Sequence, residues 1–136
     1  MRLDDRGRGE VTAEPAVRVH RVYDGAPAAP GQVYLVERLW PRGLRRDQIA
    51  MDGWLKDAAP STELRRWFAH DRVKWPEFRR RYAAELDANP QAWHLLLTAT
   101  GDVTLLYSAQ DRDHNSAVAL RAHILARRGA SDGATN

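Results

Sequence analysis

Two short apolar runs, VYLV at 33–36 and VTLLY at 103–107, lie far apart in a chain of 136 residues, and most of what separates them carries helical spacing. Two strands joined by a long helical crossover pair in parallel, because the chain must return to the same end of the sheet before the second strand can run beside the first. Both runs are apolar at consecutive rather than alternate positions, which suits strands covered on both faces. This arrangement constrains the fold more than any other feature of the sequence.

The helical stretch has recognisable starts and faces. APSTELRRWF offers Ser61 as an N-cap, Glu63 in the first turn, and Leu64, Trp67 and Phe68 at i, i+3 and i+4. WPEFRRRYAAEL puts Trp75, Phe78, Tyr82 and Leu86 on one face and sends Arg79–Arg81 toward water. Asn89 caps a helix that opens with Pro90, buries Trp93, Leu96 and Leu97, and stops at Gly101. The last helix spans 114–128, with Asp113 as its cap and Asp111 complementing its dipole. Ahead of all this, VRVHRVYDG at 17–25 reads as a strand and DGAPAAPG as a turn, so residues 17–25 and 32–40 suit an antiparallel hairpin. The expected fold is α/β, a small mixed, partly parallel sheet of about three to five strands flanked by helices. It occupies a single domain over 15–128, with mobile tails at 1–14 and 129–136.

Composition removes several functions. There is no cysteine, which excludes disulfides, thiolate metal sites and thiol nucleophiles. No apolar run approaches membrane-span length, and MRLDDRGRGE has no signal-peptide stretch, so the expectation is a cytoplasmic protein without a membrane partner. The net charge is only +3, from 21 basic and 18 acidic residues. Much of the surplus sits in the basic helical face 65–81, where arginines interleave with packing positions as they do on a solvated helix. A nucleic-acid-binding module using that face is therefore the alternative reading, and a homodimer formed through apolar helical faces is another.

The candidate site follows from the sheet. In open α/β sheets, ligands bind outside the carboxyl ends of parallel strands. If the two apolar strands are parallel neighbours, Glu37, Arg38 and Arg42 share a rim with Ser108, Asp111, His114 and Asn115. The loop 108–115, SAQDRDHN, is denser in polar groups than a connector requires. Arg38, Arg42 and the N-terminus of the last helix suit a phosphate or carboxylate, and Lys56 joins them from the irregular segment. His114 fits a general acid or base, while Ser108 and Asp111 are the other candidates for chemistry; nucleophilic attack by Ser108 requires an adjacent base. No metal and no cofactor is expected. The leading reading is a crevice for a small anionic ligand (phosphate, nucleotide or carboxylate), with catalysis left open.

Four segments in order, VERLWPRGL, WLKDAAPSTELRRWFAHD, WPEFRRRYAAELDANP and VTLLYSAQDRDHNSAVAL, resemble the YeaO-like bacterial family within the domain of unknown function 488. The resemblance runs from about residue 17 to residue 127. It implies no established activity. The family's recurrent polar positions match Arg38, Trp40, Arg42, Trp54 and Lys56 in the first half, Ser61 and His70 in the middle, and Asp111, His114 and Asn115 near the end. More distant relatives carry cysteines in the loop after the last strand. This chain has Tyr107 at the end of that strand and no cysteine to follow it.

Overall fold

A computed structural model describes residues 14–135, with side chains through Gly129. The tail expected at 1–14 therefore lies almost wholly outside the described residues. Four strands form one sheet: β1 (Val17–Arg21), β2 (Gln32–Leu35), β3 (Gly53–Trp54) and β4 (Val103–Tyr107), in the order β1-β4-β2-β3. Every pairing is parallel. The helices are α1 (Thr62–Phe68), α2 (Trp75–Ala88), α3 (His94–Leu97) and α4 (Ser116–Thr135). This is an α/β fold, and β2 and β4 are parallel neighbours, with Val33 opposite Thr104 and Leu35 opposite Leu106.

β4 takes the centre because it is the strand with least tolerance for water: all five of its residues are buried. Its side chains divide between two clusters. Val103, Leu105 and Tyr107 join Tyr34 and Val36 under a helical layer supplied by Phe68, Phe78, Tyr82, Trp93, Leu120 and Ile124. Leu35 and Leu106 face the other way, onto Val22 and Ile49, with Trp40, Leu44, Met51 and Trp54 closing over them. The helices therefore cover one face, and loops cover the other. Each fully buried aliphatic side chain stabilises this arrangement by about 1.5–3 kcal/mol relative to exposure.

The antiparallel hairpin does not form. β4 inserts between β1 and β2 and is parallel to both. The connecting segment spans about 3.3 Å per residue when extended, so it is long enough to carry the chain back to the start of the sheet instead of reversing it. It returns over the loop-covered face, burying Val22 there. It then passes so close to β4 that a Cβ on Gly31 would stand 2.1 Å from the Asp102 carbonyl oxygen. With φ at +101°, that position also requires the left-handed backbone glycine tolerates.

Helix begins at Thr62, as the Ser61 cap implied, after two 3-10 turns and the two-residue edge strand β3. Two boundaries differ from expectation. Residues 90–92 form a 3-10 turn, followed by a single helical turn at 94–97, and the Asn89 side chain makes no capping bond. The last helix starts at Ser116, not 114, and continues through Thr135. Ser61 does cap α1, accepting from Leu64 N at 3.1 Å, and its own N–H and hydroxyl bind the Glu85 carboxylate of α2.

Candidate functional site

The carboxyl ends of β2 and β4 open into a cavity of about 610 Å³. Glu37, Arg38 and Arg42 line it from the segment after β2, and Ser108, Asp111 and Asn115 from the segment after β4. Six of the eight residues singled out from sequence thus meet in one crevice. Lys56 does not join them; its ammonium sits 4.2 Å from the centre of the Trp54 ring, on the loop-covered side. His114 stands behind the rim, with Nδ1 3.1 Å from both Asp111 carboxylate oxygens and its ring edge-on to Trp75 at 5.3 Å.

Glu37 and Ser108 join the two segments across the site. Ser108 Oγ donates to Glu37 Oε1 at 2.9 Å. Burial pushes the Glu37 carboxyl above its ordinary value, against the opposing pull of its hydrogen bonds from Ser108 and the charge of Arg65. Trp54 Nε1 donates to the Glu37 backbone oxygen at 2.6 Å, holding the segment after β2 in place. Arg38 is not turned to Glu37: its Nε donates to the Pro60 carbonyl at 3.0 Å and its Nη2 to the Ala59 carbonyl at 3.1 Å. Arg38 thereby fixes the segment that leads into α1.

The loop 108–115 is largely self-satisfied. Asp111 Oδ1 accepts the backbone N–H groups of Asp113 and His114, each at 3.0 Å. Burial works to raise the Asp111 carboxyl, but these bonds and the His114 ring more than offset it and hold the group below its ordinary value. The cap of α4 is Asn115, not Asp113: Asn115 Oδ1 accepts from Val118 N at 3.0 Å, and Nδ2 donates to the Asp111 backbone oxygen at 2.9 Å. Two further ties reach back to the end of β1, Arg21 Nε to the Ala109 carbonyl and Arg112 to Asp24.

Arg65 and His70 were not among the residues assigned to the crevice, yet both line it. Arg65 projects from α1, and His70 follows it in a turn where Ala69 and His70 both adopt positive φ, 49° and 58°. Consecutive left-handed non-glycine residues are costly, and the turn is held by Asp71 N donating to the Phe68 carbonyl at 2.9 Å. For His70 the only signal in the sequence was its match to a recurrent family position. Among the described residues, neither Arg42 nor Arg65 has a carboxylate within ion-pair distance. Arg66 and Arg79 of the basic face have no such partner either, but others of it are bonded. Arg80 and Arg81 pair with Glu77, Arg72 lies 3.4 Å from Asp111, and Lys74 donates to the Trp67 carbonyl.

The arrangement therefore offers two unpaired cations and a half-buried acid–hydroxyl pair, but, among the described residues, no serine–histidine–acid chain. His114 is bonded to Asp111, while Ser108 is bonded to Glu37. Among the described residues no group of three or more His, Asp or Glu side chains gathers as metal ligands, and no helix is long and apolar enough to cross a membrane.

Comparison with known proteins agrees with the resemblance read from the motifs. Residues 16–136 match the family model DUF488-N3i, described as the inactive DUF488-N3 subclade. The chain is 41% identical over 106 residues to the uncharacterized protein YeaO of Escherichia coli (strain K12), covering 76% of this chain and 92% of that protein. It is 47% identical over 73 residues to the uncharacterized protein Rv3073c of Mycobacterium tuberculosis (strain ATCC 25618 / H37Rv), covering 54% of this chain and 62% of that one. No solved structure matches the chain.

Proposed function

We propose, for a chain that belongs to the DUF488-N3i family, that the crevice at the carboxyl ends of β2 and β4 binds a small anionic ligand and does not turn it over. The observation that carries the reading is the pair Arg42 and Arg65, two guanidinium groups on the wall of one cavity with no carboxylate partner among the described residues. A guanidinium presents planar paired donors suited to phosphate and carboxylate, and a cavity near 610 Å³ is of a size that holds metabolites. Binding without chemistry is favoured because Ser108 has no histidine beside it, and because the family itself is described as inactive. The protein would then act as a cytoplasmic sensor or carrier of its ligand.

Thermal unfolding with inorganic phosphate, carboxylates and nucleotides tests this. A ligand present at a hundred times its dissociation constant stabilises the native state by about 2.7 kcal/mol. At least one anion should raise the melting temperature of the parent, and Arg42→Ala combined with Arg65→Ala should abolish the rise. No response from the parent, or an equal response from the double variant, refutes the reading.

A further inference from the structure

An anion site has no use for a carboxylate, yet Glu37 lines this cavity. Ser108 is the one side chain among the described residues that hydrogen-bonds it. No Lys, Arg or His reaches ion-pair distance of it among those residues. Its sequence neighbour Arg38 is turned to the Ala59 and Pro60 carbonyls. A carboxylate offers about four lone-pair positions, and the Ser108 hydroxyl and backbone N–H use two at most. A carboxylate drawn out of water is costly until donors satisfy it, and its open positions face what enters the cavity.

Opposite charges line the same crevice and differ in burial, with Arg65 near enough for its charge to act on the Glu37 carboxyl. Glu37 is half-buried where β2 ends, whereas Arg42 and Arg65 are exposed. Tyr23, Leu39 and Phe68 supply apolar wall in the same cavity. We propose that the cavity takes a bipolar small molecule, with N–H donors against Glu37 and a phosphate or carboxylate against Arg42 and Arg65. This rests on the anion reading and adds the second recognised group of the ligand. Paired parallel N–H donors, as on a guanidinium group or the edge of a guanine base, match a carboxylate in two-pronged fashion.

Calorimetric titration of the full chain with matched probes tests the proposal. 4-Guanidinobutyrate and valerate share a carboxylate and differ in the donor head; guanosine monophosphate and adenosine monophosphate share a phosphate and differ in the donor edge. The parent should prefer the first member of at least one pair tenfold or more, and the pair that discriminates identifies the source of the donors. Glu37→Gln should reduce that preference to within about twofold. If the variant does not fold, the preference of the parent alone decides. Equal affinities within both pairs, or a preference that survives in Glu37→Gln, overturn this proposal while phosphate binding would leave the anion site standing. If neither inorganic phosphate nor any of the four probes binds, both fall.

Discussion

Replacing Asn115 with alanine should destabilise the protein severely, and replacing Asp113 should do almost nothing. Asn115 is 3% exposed and uses both ends of its amide: Oδ1 satisfies the Val118 N–H, and Nδ2 satisfies the Asp111 carbonyl. Losing an N-cap costs about 1 kcal/mol, and a polar group left buried without a partner costs about 1–3 kcal/mol. The two terms overlap at Val118 N–H, so a total of about 2–4 kcal/mol is expected for Asn115→Ala. Asp113 is exposed, and its carboxylate has no partner among the described residues. Asp113→Ala should therefore stay within about 0.5 kcal/mol of the parent. Urea denaturation of the three proteins, with equal slopes required, measures both differences. A loss at Asp113 equal to that at Asn115 would refute this assignment of the cap and move the start of α4 toward the loop.

Two further outcomes follow from buried polar groups. Thr104 is 1% exposed and its hydroxyl has no hydrogen-bond partner, so Thr104→Val, which keeps the shape and β-branching, should be neutral or stabilising by up to about 2 kcal/mol; a loss above about 1 kcal/mol in the same denaturation assay would show that the hydroxyl is satisfied. Burial raises the Glu37 carboxyl above its ordinary 4.5, so the native state holds that proton more tightly than the unfolded chain. The resulting stability is fully present below that ordinary value and is lost as pH rises through the higher native one. Glu37→Gln, which carries no titrating proton, should escape this loss, and its stability relative to the parent should rise from pH 4 to pH 8. Parallel profiles for the two proteins would refute the shift.

The parallel pairing of β2 with β4 was legible because both runs are largely apolar and a helical crossover separates them. α1 and α2 were legible from Ser61 and from the spacing of Phe78, Tyr82 and Leu86. The strand order was not, since a loop rich in proline and glycine serves equally to reverse a chain or to carry it across a neighbour. β3 was invisible because two residues, Gly53 and Trp54, carry no periodicity. The cap was misplaced by two residues because Asp113 and Asn115 are both competent caps. The register is decided by tertiary burial of Ala117, Leu120 and Ile124, all 0% exposed. The crevice was half legible for a related reason. Residues adjoining the two strands were found, whereas Arg65 and His70 reach it from a helix and the turn after it, whose docking depends on Glu85 and the Arg38 contacts.

The central position of β4 has a consequence for how the chain is made. Its partners β1 and β2 leave the ribosome first, and β4 meets β1 only across a separation of 86 residues. At about 5–20 residues per second, β1 waits some 4–17 s for the strand that will cover its inner edge. In that interval β2 has only the two-residue β3 to pair with. Sheet, core and crevice must therefore all appear together, late in synthesis, and closure of so long a loop makes folding slow for a protein of this size. A nascent chain stalled before Val103 holds two edge strands with no centre between them, which is the state in which this protein is most exposed to aggregation and most dependent on chaperones.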